Sequence, residues 1–331
     1  MRFLVFTSGL VVVAGISIAG QAPKAPADAP KKPVAMKAAS GKAVARTPDG
    51  RPDLQGTWDF AQLTPFERPD AFKDKTSITG EEAEQFASRV RLDMDRRDGG
   101  AAADVERAYN DFWWDFGKRV AKQASLVVDP PDGRLPPLTP EGQSRERQGV
   151  GSFMSRKYEN YEERPLAERC IVGFNSGPPM APSAYNNNMQ LVQTPDHVVI
   201  FNEMIHSARI VDLKRKTHHP SSLRFLTGDS IGHWEGDTLV VDTTNFQLET
   251  GFRGATKNMH LVERFTRVDG DTLRYDFTVT DPATWTKAWT ASIPMVRTDD
   301  QIFEYACHEG NHGLLGVLRG ARYQDTHPKQ K

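Results

Sequence analysis

The sequence predicts a mainly β protein with an α-helical N-terminal part, its strands forming an antiparallel up-and-down meander that closes into a barrel or curls around a pocket. Three observations carry this. From Met189 onward the apolar residues recur with a period of two, as on a half-buried strand. Short turn-forming clusters punctuate the pattern at Pro195-Asp196, Glu235-Gly236-Asp237 and Asp269-Gly270-Asp271. About eight or nine such segments follow one another, enough for closure into a barrel.

The chain begins with Met1-Arg2 and the apolar run FLVFTSGLVVVAGISIA, which ends small-x-small at Ser17-Ile18-Ala19. That reads as an export signal over residues 1–19, cleaved near Ala19. Gly9, Gly15 and Gly20 interrupt the run, which favours cleavage over an anchor, so the mature chain is expected to lack a transmembrane segment and to be periplasmic or secreted. The cysteines, Cys170 and Cys307, lie far downstream, which excludes lipid attachment at the cleavage site. Residues 20–46 are rich in Ala, Pro and Lys with little to bury, and read as a disordered linker.

The mixed helix and loop region, 47–184, starts at the turn residues of RTPDGRPDLQ, and Gly56-Thr57-Trp58 opens an extended segment. Thr79 and Glu82 have capping-box spacing ahead of a surface helix whose buried stripe is Phe86, Val90 and Leu92. Val105, Tyr109, Phe112, Trp113 and Phe116 repeat at helical spacing as a core stripe. SLVVD then reads as a strand, and a further helix is expected near residues 140–160.

The β-meander with a C-terminal helix is assigned to 185–331. It contains hairpins MQLVQTPDHVVIFNEMI, IGHWEGDTLVVDTTNF and LVERFTRVDGDTLRYDFTVTD, the SARIVDL segment between the first two, and a last hairpin in WTKAWTASIPMVRTDDQIFEYAC. In the cleanest strand Leu273, Tyr275, Phe277 and Val279 alternate with polar residues, giving one buried and one wet face. A strand ending at Cys307 and a helix starting near Asn311 complete the chain.

Gly56-Thr57-Trp58 and the meander resemble the lipocalin-like β-barrels; here some 130 residues of helix and loop intervene between the two, so only the barrel is carried over. The strings RTPDGRPDL, ERC, GPPM, YNNN, GHWEGDTLVV, ERFTRVD and FEYACHEGN are similar to a family of exported bacterial proteins. That resemblance implies export and a shared pocket, and no reaction.

The residues with chemistry to offer are few. With 42 basic and 43 acidic residues the net charge is −1, which leaves no nucleic-acid footprint. No dinucleotide fingerprint or P-loop occurs, so no cofactor is implied. Glu203, in step with Val199 and Phe201, would be a carboxylate on an apolar face, either a proton-transfer group or the partner of Arg209 or Arg264. Glu263 beside Phe265 repeats the pattern, and His308 with Glu309 would stand at the barrel rim.

His308, Glu309 and His312 also spell H-E-x-x-H, but Gly310 and Gly313 break the helix that a zinc site needs, so no metal is assigned and a metallohydrolase stays an alternative. The stretch ERCIVGFNSGPPMAPSAYNNN is a loop shaped by Gly173, Gly177, Pro178, Pro179 and Pro182. Tyr185, Asn186, Asn187 and Asn188 in it either bind hydroxyls or an oxyanion, or cap turns. His206, Arg209, His233, Trp234 and Asn311 complete the candidate binding set, although a Trp before a tight turn, like Trp234, is more often a packed cross-strand residue. Cys170 and Cys307 are either bonded across the fold or two buried thiols.

These residues point to an exported protein handling a small molecule. The first reading is a cofactor-independent acid–base lyase, isomerase or hydrolase on a polar or cyclic substrate such as a carbohydrate derivative. A lipocalin-like binding protein without catalysis and an envelope-associated structural module stand beside it. Oligomeric state is not legible.

Overall fold

A ten-stranded sheet organises the computed structural model of the chain, which describes residues 44–94, 115, 117–147, 160–247 and 252–327. The strands are β1 (Gly56–Asp59), β2 (Val127–Asp129), β3 (Asn188–Gln193), β4 (His197–Asn202), β5 (Ala208–Asp212), β6 (Asp229–Glu235), β7 (Thr238–Thr244), β8 (His260–Arg267), β9 (Thr272–Thr280) and β10 (Trp289–Thr298). Among the described residues nine of them, β1 and β3 to β10, close a barrel, because β1 pairs with β3 on one edge and β10 on the other. β2 lies outside the ring on the first residues of β10. The closing strand thus comes from the segment ahead of the meander.

The barrel is mixed rather than antiparallel throughout, which corrects the expected up-and-down meander. β5 and β6 meet in parallel at Asp212 and Ile231. The cause is the long 213–228 connection, which no tight turn could replace. Asp212 accepts from the backbone N–H of Lys214 (2.8 Å) and Arg215 (3.0 Å), and the Arg215 guanidinium bridges Asp212 to Asp229 at the start of β6. This staple returns the chain to the end of the barrel where β5 began.

Three hairpins turn where the sequence placed them: β3–β4 at 194–196, β6–β7 at Gly236 and β8–β9 at 268–271. The expected fourth hairpin is a single strand, since β10 ends at Thr298 and residues 299–306 carry no strand, so no strand reaches Cys307. Pairing of β10 with β9, β1 and β2 exhausts its edges and leaves no partner for a return strand.

Leu273, Tyr275, Phe277 and Val279 point inward, fully buried, each contributing about 2 kcal/mol of transfer free energy. Leu261, Glu263, Phe265 and Arg267 form the inward face of β8. On β4 the parity is opposite to that expected: Val198, Ile200 and Asn202 are buried, while Val199 and Phe201 are half-covered outside. Both faces of HVVIF are apolar, so alternation alone does not choose between them.

Helix α1 (Gly80–Met94) carries the expected capping box: the Thr79 N–H donates to Glu82 (2.9 Å) and the Glu82 N–H to the Thr79 hydroxyl (3.2 Å). Its Phe86 packs on Phe72. Helix α2 covers Pro140–Arg147, and α3 covers His312–Thr326, where the Asn311 side chain accepts the Leu314 N–H. No helix among the described residues is long and apolar enough to cross a membrane. The export signal, most of the linker and the aromatic stripe from Val105 to Phe116 lie outside the described residues.

Candidate functional site

The interior of the barrel is crossed by a closed polar network. Arg209, on β5, forms a two-pronged ion pair with Glu263 on β8, with one contact of 2.7 Å from Nη2 to Oε1 and a second, shorter one from Nη1 to Oε2. Glu263 is 0% exposed and Arg209 7%. The Tyr275 hydroxyl donates to Glu263 Oε1 (2.7 Å) and itself accepts the backbone N–H of Met180 (3.1 Å). Arg209 also reaches the Thr243 hydroxyl, which shares a hydrogen bond with Ser230.

Burial works against the Arg209 charge, but the Glu263 carboxylate outweighs it and holds the guanidinium pKa above its ordinary value. Burial first, and then the Glu263 charge, push the Tyr275 phenol well up, which keeps it a neutral donor. Both oxygens of Glu263 are committed. A carboxylate so engaged holds the barrel together.

Met180 belongs to the loop 168–188, and the sequence explains how that loop is held. Asn187 Oδ1 accepts the Ser183 N–H (2.8 Å), while its Nδ2 donates to the carbonyls of Ser183 (2.9 Å) and Asp115 (3.0 Å). Asn175 Nδ2 reaches the carbonyls of Tyr185 and Asn186. Asn202, inward on β4, donates to the Ser176 carbonyl (3.1 Å). The loop then drops Met180 into the barrel core as a plug. Cys170 at its start is bonded to Cys307, with Cα atoms 5.7 Å apart, and Asn311 Nδ2 donates to the Glu168 carbonyl beside it.

Strand directions put the plug at one end of the barrel, where β6, β8 and β10 begin and β7 and β9 end. At the same end lies a cavity of about 720 Å³. Its walls are Phe174 and Pro178 of the plug loop, Phe246 and Phe252 between β7 and β8, Trp285 before β10, and Leu135 from the segment after β2. The aromatic lining is continuous with the core: Phe252 stacks on Trp289 at 6.1 Å, and Trp285 meets the same ring edge-on at 5.5 Å. Among the described residues the charged groups lining it are Arg253, Glu67 and Glu146.

The residues singled out from sequence fall elsewhere. Glu203 is not on a strand face; it sits in the turn after β4, where its Oε2 accepts from Asn188 Nδ2 (3.1 Å) and its Oε1 from the Phe303 N–H (3.3 Å). Neither Arg209 nor Arg264 is its partner, since Arg209 binds Glu263 and Arg264 binds Glu235. His206 is exposed and left-handed in φ at 36°, because the 3₁₀ turn Met204–His206 breaks the strand. His308, Glu309 and His312 are exposed, and α3 starts only at His312, so the two histidines share no helix face. Among the described residues no three His, Cys, Asp or Glu side chains are grouped to hold a metal.

Asn186, Asn187 and Asn188 shape and anchor the loop, and Tyr185 stacks with Tyr305 (6.5 Å between ring centres). His233 is exposed against Glu235, while Trp234 packs on the core with Arg51 over its ring. None of these lines the cavity, whose walls include Gly173, Gly177, Pro178, Pro179 and Pro182 of the same loop. The cavity residues missed from sequence are Phe246, Phe252, Arg253 and Trp285. Their signal was present as aromatics in non-periodic stretches between strands, where a packed strand face is no explanation for them.

No family model matches the chain, and no curated protein matches it. Part of it is similar to two solved structures. One is a mutant of the fluorescent protein UnaG, at 12% identity and a TM-score of 0.23, covering 34% of this chain and 72% of that one. The other is a secretary abundant heat soluble (SAHS) protein from Ramazzottius varieornatus, at 14% identity and a TM-score of 0.23, covering 34% and 70%.

Proposed function

We propose that the protein is an exported binder of small, largely apolar molecules, held in the cavity at the plugged end of the barrel. The observation that carries this is the cavity itself: about 720 Å³, walled by Phe174, Phe246, Phe252 and Trp285. Ligand sites typically occupy a few hundred to about a thousand Å³, apolar with a few placed polar groups. Water inside such walls makes poor hydrogen bonds, so an apolar guest gains free energy by displacing it. The carboxylates that would serve acid–base chemistry, Glu203 and Glu263, are engaged in holding the fold, which favours binding over turnover. Export belongs to the same reading, since the Cys170–Cys307 bond suits an oxidising compartment.

The neutral dye N-phenyl-1-naphthylamine tests the reading by its fluorescence rise on entering an apolar site. Saturable binding is expected, weakened at least tenfold by Ala181→Trp, which fills the cavity from the plug loop. Unsaturable dye uptake, or binding indifferent to that substitution in a protein with unchanged circular dichroism, would remove the proposal.

A further inference from the structure

Among the described residues Arg253 is the one cation on the cavity wall, and its setting is unusual. It has a left-handed backbone, φ 51°, which an L side chain adopts unfavourably, directly before Gly254 at φ 78°. Its guanidinium carbon stands 3.7 Å from the centre of the Phe66 ring. That contact covers one flat face of the group and leaves its N–H edge free. Among the described residues Arg253 makes no hydrogen bond and no ion pair. Arg253 lines the cavity and is exposed to solvent.

We infer that the guest bears a carboxylate, received by the free edge of Arg253 while its apolar body lies against the aromatic wall. This rests on the cavity being a binding site and narrows what enters it. A planar guanidinium stacked on a ring presents two parallel N–H donors, the geometry that a carboxylate accepts in two-pronged fashion. Glu67 does not fill that role, because its Oε2 accepts the Leu135 N–H at 2.9 Å and it forms no ion pair with Arg253. Glu67 and the exposed Glu146 still line the same cavity, so a second negative charge on the guest is opposed. The class is therefore an amphipathic monocarboxylate rather than a polyanion or a neutral apolar molecule.

Three probes of equal chain length separate the possibilities by isothermal titration at neutral pH: decanoate, decan-1-ol and decylammonium. Decanoate is expected to bind at least about tenfold more tightly than the alcohol, the scale of one charge-assisted hydrogen-bond pair, and decylammonium more weakly than either. Arg253→Gln should erase the advantage of the acid and leave the alcohol within about twofold, while Arg253→Lys should keep part of it. Alcohol binding as tight as the acid's overturns the anion site but spares the cavity reading. Failure of all three probes and of the neutral dye takes both down. Should Arg253→Gln not fold, the acid-to-alcohol ratio of the unaltered protein decides alone.

Discussion

Arg209 and Glu263 join β5 to β8 through the barrel interior by a two-pronged ion pair, and Tyr275 completes the hydrogen bonding of the carboxylate. The pair spans two strands that are not neighbours in the sheet, so it fixes how the wall curves as well as what fills it. Removing one member leaves the other charged and buried, which costs about 3–5 kcal/mol. Glu263→Gln is expected to lower the urea midpoint accordingly. The double change Arg209→Met, Glu263→Leu should be milder than either single one, because no charge is left stranded. Equal or greater loss in the double variant would show that the pair contributes by itself rather than by mutual neutralisation.

The Cys170–Cys307 bond closes a loop of 137 residues and ties the plug loop to the segment leading into α3. In the chain-entropy treatment a cross-link of that span stabilises by about 4–5 kcal/mol. Protein alkylated without reductant should therefore carry no label, and the Cys170→Ser, Cys307→Ser variant should unfold at markedly lower urea. Two labelled thiols in the purified protein would contradict the bond directly.

Much of the barrel was legible because a half-exposed strand writes its burial into alternate residues. Leu273, Tyr275, Phe277 and Val279 announced the inward face of β9, and Asp269-Gly270-Asp271 its turn. Two features were not. The parallel contact of β5 with β6 depends on Asp212, Arg215 and Asp229 meeting across a long loop, a coincidence in space that no local pattern records. The partner of Glu263 was hidden for the same reason, since Arg209 arrives from a strand 54 positions away. The candidate site suffered most. Carboxylates in apolar strands signal burial and pairing as strongly as catalysis: here Glu263 is paired with Arg209, and Glu203 lies in a turn, where it accepts from Asn188 and the Phe303 N–H. The cavity is instead made by loops, whose residues have no periodicity to betray which way they face.

A titration on the outside of the barrel provides a pH prediction. His218 and His260 both place Nε2 2.9 Å from the same oxygen of Asp242, and His218 turns its other nitrogen to Asp229 (3.2 Å). The Asp242 hydrogen bond raises the His260 pKa against burial; burial would raise Asp242, but its histidine contacts hold it below the usual range. A raised histidine stabilises fully below its unfolded value, about 6.5, and loses that contribution as pH climbs through the folded value. A lowered carboxylate does the reverse, stabilising above about 3.9 and fading as pH falls through its folded value. The His260–Asp242 contact therefore works between the two. His260 is about half-exposed, so its worth is below about 1 kcal/mol. The stability difference between the unaltered protein and His260→Gln should be steady near pH 5 to 6 and shrink toward about pH 8. A difference that grows with rising pH would reverse the assignment.

The plug loop offers a test that joins backbone conformation to the cavity. Gly177 has φ +69°, and a Cβ there would stand 2.4 Å from the Pro179 carbonyl carbon and 2.6 Å from the Met180 nitrogen. Backbone that close cannot give way as a flexible side chain would, and the left-handed φ adds its own cost to any L residue. The Met180 N–H that would be pushed aside is the donor to Tyr275, so the disturbance passes into the Arg209–Glu263 network as well as into the cavity wall. Gly177→Ala is expected to destabilise by about 2 kcal/mol or more and to weaken dye binding in the protein that remains folded. Gly236, at φ +57° in the β6–β7 turn, has open space where its Cβ would be, so Gly236→Ala carries the conformational cost alone. It should cost about 1 kcal/mol and leave dye affinity unchanged. Equal effects of the two substitutions on affinity would mean that the loop does not form the wall of the site.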